Sequence, residues 1–252
     1  MKRLILCLLA LLLSVPAMAE GTDAVPLTFA DDLAGVYCYP EGASEAEARY
    51  VYRYAYPQIA GNSDIAVMIN TTYQLTVTDA LGFEVPMLAS DVQEGEAQKQ
   101  VDISYEITCL NDSYLSVAVT KTARSGGELT SHIAAGHVFA LTGEKAGTIV
   151  SLPYVLGILA DDESDEWYKE RQTAKADACV RELVWNALQD MDIALWDDLT
   201  FEEFEAGFYP EEDFYLNEDG DPVFFLLAGT VAPEEAGIIQ VTIAMETLLD
   251  EI

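Results

Sequence analysis

Positive charge is scarce in this sequence, which carries 12 Lys and Arg residues against 44 Asp and Glu residues and a formal net charge of −32. A chain this acidic repels the phosphates of nucleic acids, and no basic patch offsets that repulsion. The composition therefore excludes a nucleic-acid partner. Two interpretations of the acidity stay open. The acids keep an exported protein dispersed, or they attract a basic partner or divalent cations.

The common catalytic motifs are also missing. The chain has no G-x-S-x-G elbow, H-E-x-x-H pair, P-loop or glycine fingerprint for dinucleotides. Its only histidines, His132 and His137, are five positions apart. In a strand they would lie on opposite faces, where they cannot bind one metal together. We therefore predict no catalytic residue, no metal ligand and no cofactor.

Two acidic runs could suggest calcium binding, DDESDE at residues 161–166 and NEDGD at residues 217–221. The second run lacks the full loop and terminal glutamate of an EF-hand. A helix start explains the first run, because negative charge there is favoured by the helix dipole. A tight turn explains the second. Neither run is predicted to be a metal site.

Cysteine is rare, and three of the four cysteines lie far apart at Cys38, Cys109 and Cys179, without a C-x-x-C pair. Cys109 ends an alternating strand on its apolar face, and Cys179 adjoins the apolar stripe of a helix. We predict buried free thiols at these two positions. A Cys38–Cys109 disulfide remains an alternative.

A long hydrophobic run occurs only at the start of the chain. Lys2 and Arg3 precede an apolar run at residues 4–15, and Pro16 and Ala17-Met18-Ala19 follow. This pattern is typical of a secretory signal peptide, and the run is short for a membrane span. We predict a signal peptide at residues 1–19, cleaved after Ala19, and a secreted or envelope-associated product with no membrane span. A retained anchor is the alternative.

Periodicity predicts the fold from residue 49 onward. Tyrosines alternate through residues 50–56 as in a strand, and Ser63 or a neighbour caps a helix whose apolar face includes Ile69 and Tyr73. Alternation at residues 101–109 and 115–119, around the turn at 111–113, predicts a hairpin. Strands are also predicted near residues 132–141 and on either side of Asp219-Gly220.

The longest predicted helix follows DDESDEW, and the chain ends in a strand and a short helix. Its apolar stripe is Val180, Leu183, Val184, Ala187, Leu188 and Met191. We predict an α+β fold, an antiparallel sheet of hairpins with packed helices. Residues 20–48 are predicted as a linker or flexible segment and residues 49–252 as a single domain.

The tyrosine stripe has two interpretations. A row of aromatic side chains on one strand face is more often part of a core. Tyr50, Tyr52, Tyr54 and Tyr56 could instead form a platform for carbohydrate or peptide, because each hydroxyl needs a polar partner or water.

Short features occur in a fixed order along the chain: Tyr56-Pro57, Gly61, Ile69-Asn70, Phe139, Thr142-Gly143, Leu152, Ala232-Pro233 and Ala236-Gly237. This ordered set resembles a bacterial domain family of unknown function. That family includes the extracellular region of the anti-sigma factor RsiV and the N-terminal part of the peptidoglycan deacetylase PdaC. The resemblance covers roughly residues 48–252, but the family's Gly-Gly-Ala-His segment is altered, and the deacetylase motifs are absent. The matching positions, whose role is unknown, are Tyr56, Pro57, Gly61, Asn70, Phe139, Thr142, Gly143, Pro233 and Gly237.

The resemblance implies an exported, non-catalytic binding or sensing module. RsiV-like domains are associated with recognition of lysozyme, which is basic, so a lysozyme-like protein or a cell-envelope component is the expected partner. Two alternatives stay open: an enzyme that uses carboxylates on envelope glycans, and a structural or adhesion domain.

Overall fold

The fold is built on two sheets. The structure is a computed structural model and describes residues 27–159 and 165–252. The predicted signal peptide and residues 161–164 of the first acidic run lie outside the described residues. The larger sheet contains, in spatial order, β1 (Leu33–Tyr39), β2 (Tyr50–Tyr56), β3 (Lys99–Leu110), β4 (Tyr114–Ser125) and β5 (Glu128–Ala140). The smaller sheet contains, in spatial order, β6 (Phe214–Leu216), β7 (Pro222–Leu226) and β8 (Ile239–Thr242).

The helices fall into two groups along the chain. Between β2 and β3 lie α1 (Asp64–Asp79), a π-helical turn (Ala80–Glu84) and α2 (Val85–Ser90). The later helices are α3 (Leu152–Val155), α4 (Glu166–Asp190), α5 (Phe201–Gly207) and α6 (Met245–Glu251), with a short 3₁₀ turn at Glu234–Ala236. Within the described residues, no helix is long and apolar enough to cross a membrane.

The larger sheet is mostly antiparallel, as predicted, but β2 and β3 run parallel. Parallel neighbours cannot be joined by a tight turn and need a crossover connection, which usually carries a helix. Residues 57–98, with α1 and α2, supply that crossover. The prediction of an antiparallel sheet of hairpins therefore holds for most of this sheet and fails at the β2–β3 pair.

The first strand lies within the segment that the sequence predicts as a linker. β1 pairs antiparallel with β2 along its whole length, from Leu33 opposite Tyr56 to Tyr39 opposite Tyr50. Part of residues 20–48 therefore belongs to the sheet. The segment is weakly patterned because β1 is an edge strand, with both faces only partly covered.

The tyrosine face of β2 packs against α1 and forms the sheet core. Tyr50, Tyr52 and Tyr56 are buried, and the ring of Tyr56 stacks on that of Tyr73 from α1 at 5.0 Å between centroids. Tyr54 is half-buried. Burial raises the pKa of Tyr50 to about 12, because the phenolate would lose its hydration. The stripe is thus a core element, as its first interpretation predicts.

A bulge in β3 changes the environment of Cys109. The β3–β4 register shifts between Ile107 and Cys109, so one extra residue reverses the facing of the side chains that follow. Val101 and Ile103 face the sheet core, whereas Cys109 is buried in a second cluster on the opposite face. The predicted facing of Cys109 is wrong, because alternation holds only while the register is continuous.

The three described thiols are free. Cys109 is buried and Cys179 half-buried, and the alternative Cys38–Cys109 disulfide is not formed. Burial raises the pKa of both the Cys109 and the Cys179 thiols.

The second cluster, here called the C-terminal core, lies between α4, α5, α6 and the smaller sheet. Val180, Val184 and Leu188 of the predicted α4 stripe are fully buried there, and Leu183 and Ala187 pack at its margin. Met191 is an exception, because it follows the last helical residue and is 37% exposed. Asp165 caps the helix by accepting a hydrogen bond from Trp167 N–H.

The two cores meet where β6 crosses the larger sheet. A Cβ at Gly136 of β5 would collide with the carbonyl oxygen of Phe214 in β6, so the crossing requires glycine. The fully buried Ser116 of β4 accepts a hydrogen bond from Leu216 N–H at 2.9 Å. The larger sheet therefore packs against helices on one face and against the smaller sheet on part of the other.

Candidate functional site

The first four family-signature positions form the turn between β2 and α1. Asn70 of α1 accepts a hydrogen bond from Ile59 N–H at 2.8 Å and donates one to the Ile59 carbonyl at 2.9 Å. Gly61 has a φ of 90°, which favours glycine. Pro57 ends the β2 ladder, and Tyr56 stacks in the sheet core. These positions fix the return of the chain onto the sheet and create no cleft.

The remaining signature positions lie in three places: the sheet core, the turn after β5 and the 3₁₀ turn. Phe139 is fully buried and packs edge-on against Tyr73. Thr142 and Gly143 form the turn after β5, and Pro233 and Gly237 flank the 3₁₀ turn. Gly143 and Gly237 have φ values of 75° and 71°. The signature set does not converge on one site, although Gly237 borders a cleft described below.

The two histidines lie on opposite sides of β5. The His137 ring packs against Tyr73 at 5.7 Å, and burial lowers the pKa of His137 because the imidazolium would be desolvated. Each histidine also lines a cleft described below, His137 the first and His132 the second. Among residues 27–159 and 165–252, no group of three His, Cys, Asp or Glu side chains is arranged to hold a metal ion.

The NEDGD run forms the turn between β6 and β7. The Asn217 side chain accepts hydrogen bonds from the N–H groups of Asp219 and Asp221. The Asp221 carboxylate accepts one from Met245 N–H at 2.8 Å, at the start of α6. The Asn217 side chain therefore stabilises the turn, and the Asp221 carboxylate binds the start of α6, as the interpretation of the run as a tight turn predicts.

One cleft borders the outer strand of the larger sheet. It has a volume of about 460 Å³ and is lined by residues 134–137 of β5, residues 149–151 and the segment before β6. That segment carries Glu211, Glu212 and Asp213. Glu211 and Glu212 are exposed.

A second cleft, of about 440 Å³, borders the adjoining part of the same strand. Residues 129–133 of β5 line one side, and Leu227, Ala228, Glu234, Glu235 and Gly237 line the other. Neither cleft includes a residue of β4. Since consecutive strand residues point to alternate faces, lining by consecutive residues means that both clefts border the strand edge.

We call these two clefts the edge groove. It comprises residues 129–137 of β5 and, among the residues on its other side, five acids: Glu211, Glu212, Asp213, Glu234 and Glu235. No Lys or Arg lines either cleft. The salt bridges among the described residues involve none of these five acids. The lining of the groove is therefore acidic, and Arg181 lies near enough to Asp213 to oppose the rise in its pKa.

Asp213 differs from the other four acids. Its carboxylate accepts a hydrogen bond from Tyr209 N–H at 2.8 Å, which favours the charged form. Burial outweighs this bond and raises the pKa of Asp213 above its ordinary value. Asp213 thus supports the wall of the groove, and the exposed glutamates supply its outward charge.

The part of the chain that forms much of the C-terminal core is similar to a known protein family. Residues 168–246 match a known family model. The model is described as "Protein of unknown function (DUF3298)". The DUF3298 match runs from α4 to the start of α6 and contains the acidic wall of the edge groove. No curated protein matches the chain.

Solved structures of DUF3298 proteins resemble nearly the whole chain. A member from Bacteroides fragilis is 15% identical, with a TM-score of 0.52, and the likeness covers 88% of this chain and 92% of that one. A DUF3298 family protein from Pseudomonas aeruginosa is 12% identical, with a TM-score of 0.51, over 90% of this chain and 94% of that one. At these identities the likeness shows the fold alone. It extends beyond the matched segment to most of the larger sheet.

The edge groove was not predicted from the sequence. The run Glu211-Glu212-Asp213 before a strand was a visible signal, as was Gly136 within an otherwise regular strand, since an isolated strand glycine indicates a close backbone approach. Which strand forms the outer edge of a sheet depends on topology, which the sequence does not state.

Proposed function

We propose that this protein is an exported, non-catalytic binding module that recognises a basic protein of the lysozyme type through the edge groove. The observation that carries the proposal is the groove itself. Four exposed glutamates line the clefts beside the outer strand edge, and no Lys or Arg lines the groove. A cationic partner would supply the missing counter-charges.

The charge of the whole chain supports the same partner class. A formal net charge of −32 attracts cationic proteins over distance and accelerates their encounter. The choice of lysozyme rests on the resemblance to the extracellular region of RsiV, and export rests on the signal-like residues 1–19. Both belong to the proposal.

The test is binding of residues 20–252 to immobilised lysozyme at low and at near-molar salt. Exposed charge pairs are largely screened at the higher salt, whereas a packed interface retains much of its affinity. We expect binding that weakens with salt but persists. An absence of binding at low salt would overturn the proposal.

Charge-matched variants locate the interface. E211Q/E212Q removes two groove charges, and E41Q/E202Q removes two exposed charges that line neither cleft. We expect the first variant to weaken binding about three- to tenfold at low salt, since exposed pairs contribute modestly, and the second to change it less than about twofold. Equal losses would mean attraction to the overall charge and no specific site.

A further inference from the structure

The outer edge of β5 offers unpaired backbone groups to the edge groove. Val150 N–H donates to the Val138 carbonyl, and Ala140 N–H donates to the Thr148 carbonyl. The backbone N–H and C=O groups of residues 138 and 140 therefore point away from β4. Because alternate residues of a strand direct their backbone groups to the same side, those of Ala134 and Gly136 point there too.

The pairing between β5 and residues 148–150 stops where that segment turns away from the strand. Phe139 and Ile149 form an isolated antiparallel bridge. Two residues further on, Leu152 N–H donates to the Glu211 carbonyl instead of pairing with β5. Beyond this point, no described strand lies along residues 129–137, since β5 is the last strand of its sheet. The gap is the edge groove.

We propose that the groove binds an extended, lysine- or arginine-bearing segment of the partner as a sixth strand of the larger sheet. This inference rests on the proposed function and specifies how the partner is held. Backbone hydrogen bonds to the edge would give affinity, and side-chain contacts would give selectivity. Glu211, Glu212, Glu234 and Glu235 line the same clefts and would pair with basic side chains of an added strand.

The lining suits a segment that alternates basic and apolar residues. Ile133 of β5 is 40% exposed, and Ile149 is 44% exposed. Both lie on the sheet face of Phe139, because Ile149 pairs with Phe139 and the register of residues 131–139 is continuous. A strand has two faces, so one can meet the acids while the other covers these apolar side chains. A second copy of this chain is disfavoured, because it would bring five more carboxylates and a like net charge to the same groove.

The test uses a synthetic probe, a nine-residue peptide of alternating lysine and valine with blocked ends, and residue-resolved amide hydrogen exchange on residues 20–252. If the peptide adds as a strand, the amides of Ala134 and Gly136 gain about tenfold protection or more at saturation. The amides of Ala135 and His137 already face β4 and change little. A glutamate–valine peptide of the same length is the charge control.

A substitution in β5 gives an independent measurement. A134P removes an N–H that faces the groove and is not used by the sheet, a position where an edge strand tolerates proline. A134S keeps the N–H. We expect A134P to weaken peptide binding about tenfold and A134S to leave it within about twofold. Circular dichroism of both variants checks that the sheet is intact, and the exchange pattern stands whether or not A134P folds.

The outcomes separate this inference from the proposed function. Alternating protection with the lysine peptide supports strand addition, even if lysozyme does not bind and the proposed partner is wrong. Lysine-peptide binding with uniform protection, or with none in residues 132–136, overturns strand addition, even if lysozyme binds. A failure of the peptide to bind, or equal binding of the glutamate peptide, also overturns it.

Discussion

At the residue scale, Asn70 is the polar side chain that determines how the chain enters α1. It sits among apolar positions of the helix because it satisfies both backbone groups of Ile59, a residue that is 2% exposed. No aliphatic side chain can make both hydrogen bonds. A single amide thus joins the turn after β2 to the helix that covers the sheet core.

We expect N70A to lower the free energy of unfolding by about 1–3 kcal/mol, because it leaves a buried donor and acceptor without partners. N70D should also destabilise the protein, since a carboxylate accepts from Ile59 N–H but repels the Ile59 carbonyl. Urea unfolding at neutral pH measures both. The neighbour T71A is the control, because exposed Thr71 bonds only to its own helix, and we expect a change within about 0.5 kcal/mol. Equal effects of N70A and T71A would contradict this role.

At the element scale, the crossing of β5 and β6 depends on Gly136. We expect G136A to lower the free energy of unfolding by roughly 3 kcal/mol or more, because the new methyl collides with backbone, which cannot rotate away. G82A adds the same methyl where nothing lies within 4 Å. It should leave stability unchanged or raise it by up to about 1 kcal/mol. Urea midpoints of the two variants give the comparison, and a stable G136A would mean that the strands do not cross this closely.

Much of the element order could be predicted from periodicity. β2 begins and ends at Tyr50 and Tyr56, as the tyrosine alternation predicts, and α1 is capped by Ser63. Two features could not be predicted in the same way. The parallel β2–β3 pair is set by the crossover between them, and the facing of Cys109 is set by a bulge. Both depend on pairing between strands, which the alternation of residues within one strand does not reveal.

The candidate site was less predictable than the fold. The signature residues came from the resemblance alone, and for Gly61 and Gly143 the structure adds a local reason, a positive φ. The edge groove joins residues 129–137 to acids about eighty to one hundred positions later. Only the packing of the smaller sheet against the larger one brings these residues together.

At the scale of the whole molecule, the acidic side chains repel one another, because few of those in the described residues have a cationic partner. The ion pairs among the described side chains join Arg53 to Glu45 and Asp102, Lys121 to Glu84, and Arg181 to Asp177. A net charge of −32 destabilises the compact state through self-repulsion, which salt screens. We therefore expect the melting temperature to rise by a few degrees, roughly 3–8 °C, between about 10 mM and 500 mM sodium chloride.

The control for this prediction is a low millimolar concentration of calcium chloride, compared with sodium chloride at the same ionic strength. An equal shift means screening alone, whereas a larger shift at low millimolar calcium would indicate a specific cation site and contradict the prediction that there is no metal ligand. A melting temperature that falls with salt would mean that ion pairs outweigh the repulsion.

The division into two cores also separates the fluorescent side chains. All 3 tryptophans, Trp167, Trp185 and Trp196, follow residue 160, and Trp185 packs at the margin of the C-terminal core. The sheet core instead contains tyrosines, including Tyr50, Tyr52, Tyr56 and Tyr73. Tryptophan thus reports only on residues after 160, and tyrosine reports mainly on the larger sheet, because 9 of the 13 tyrosines precede residue 140. Coincident tyrosine and tryptophan unfolding curves would show that the crossing at Gly136 makes the halves one cooperative unit, and separate curves would give the stability of each half from the unmodified protein.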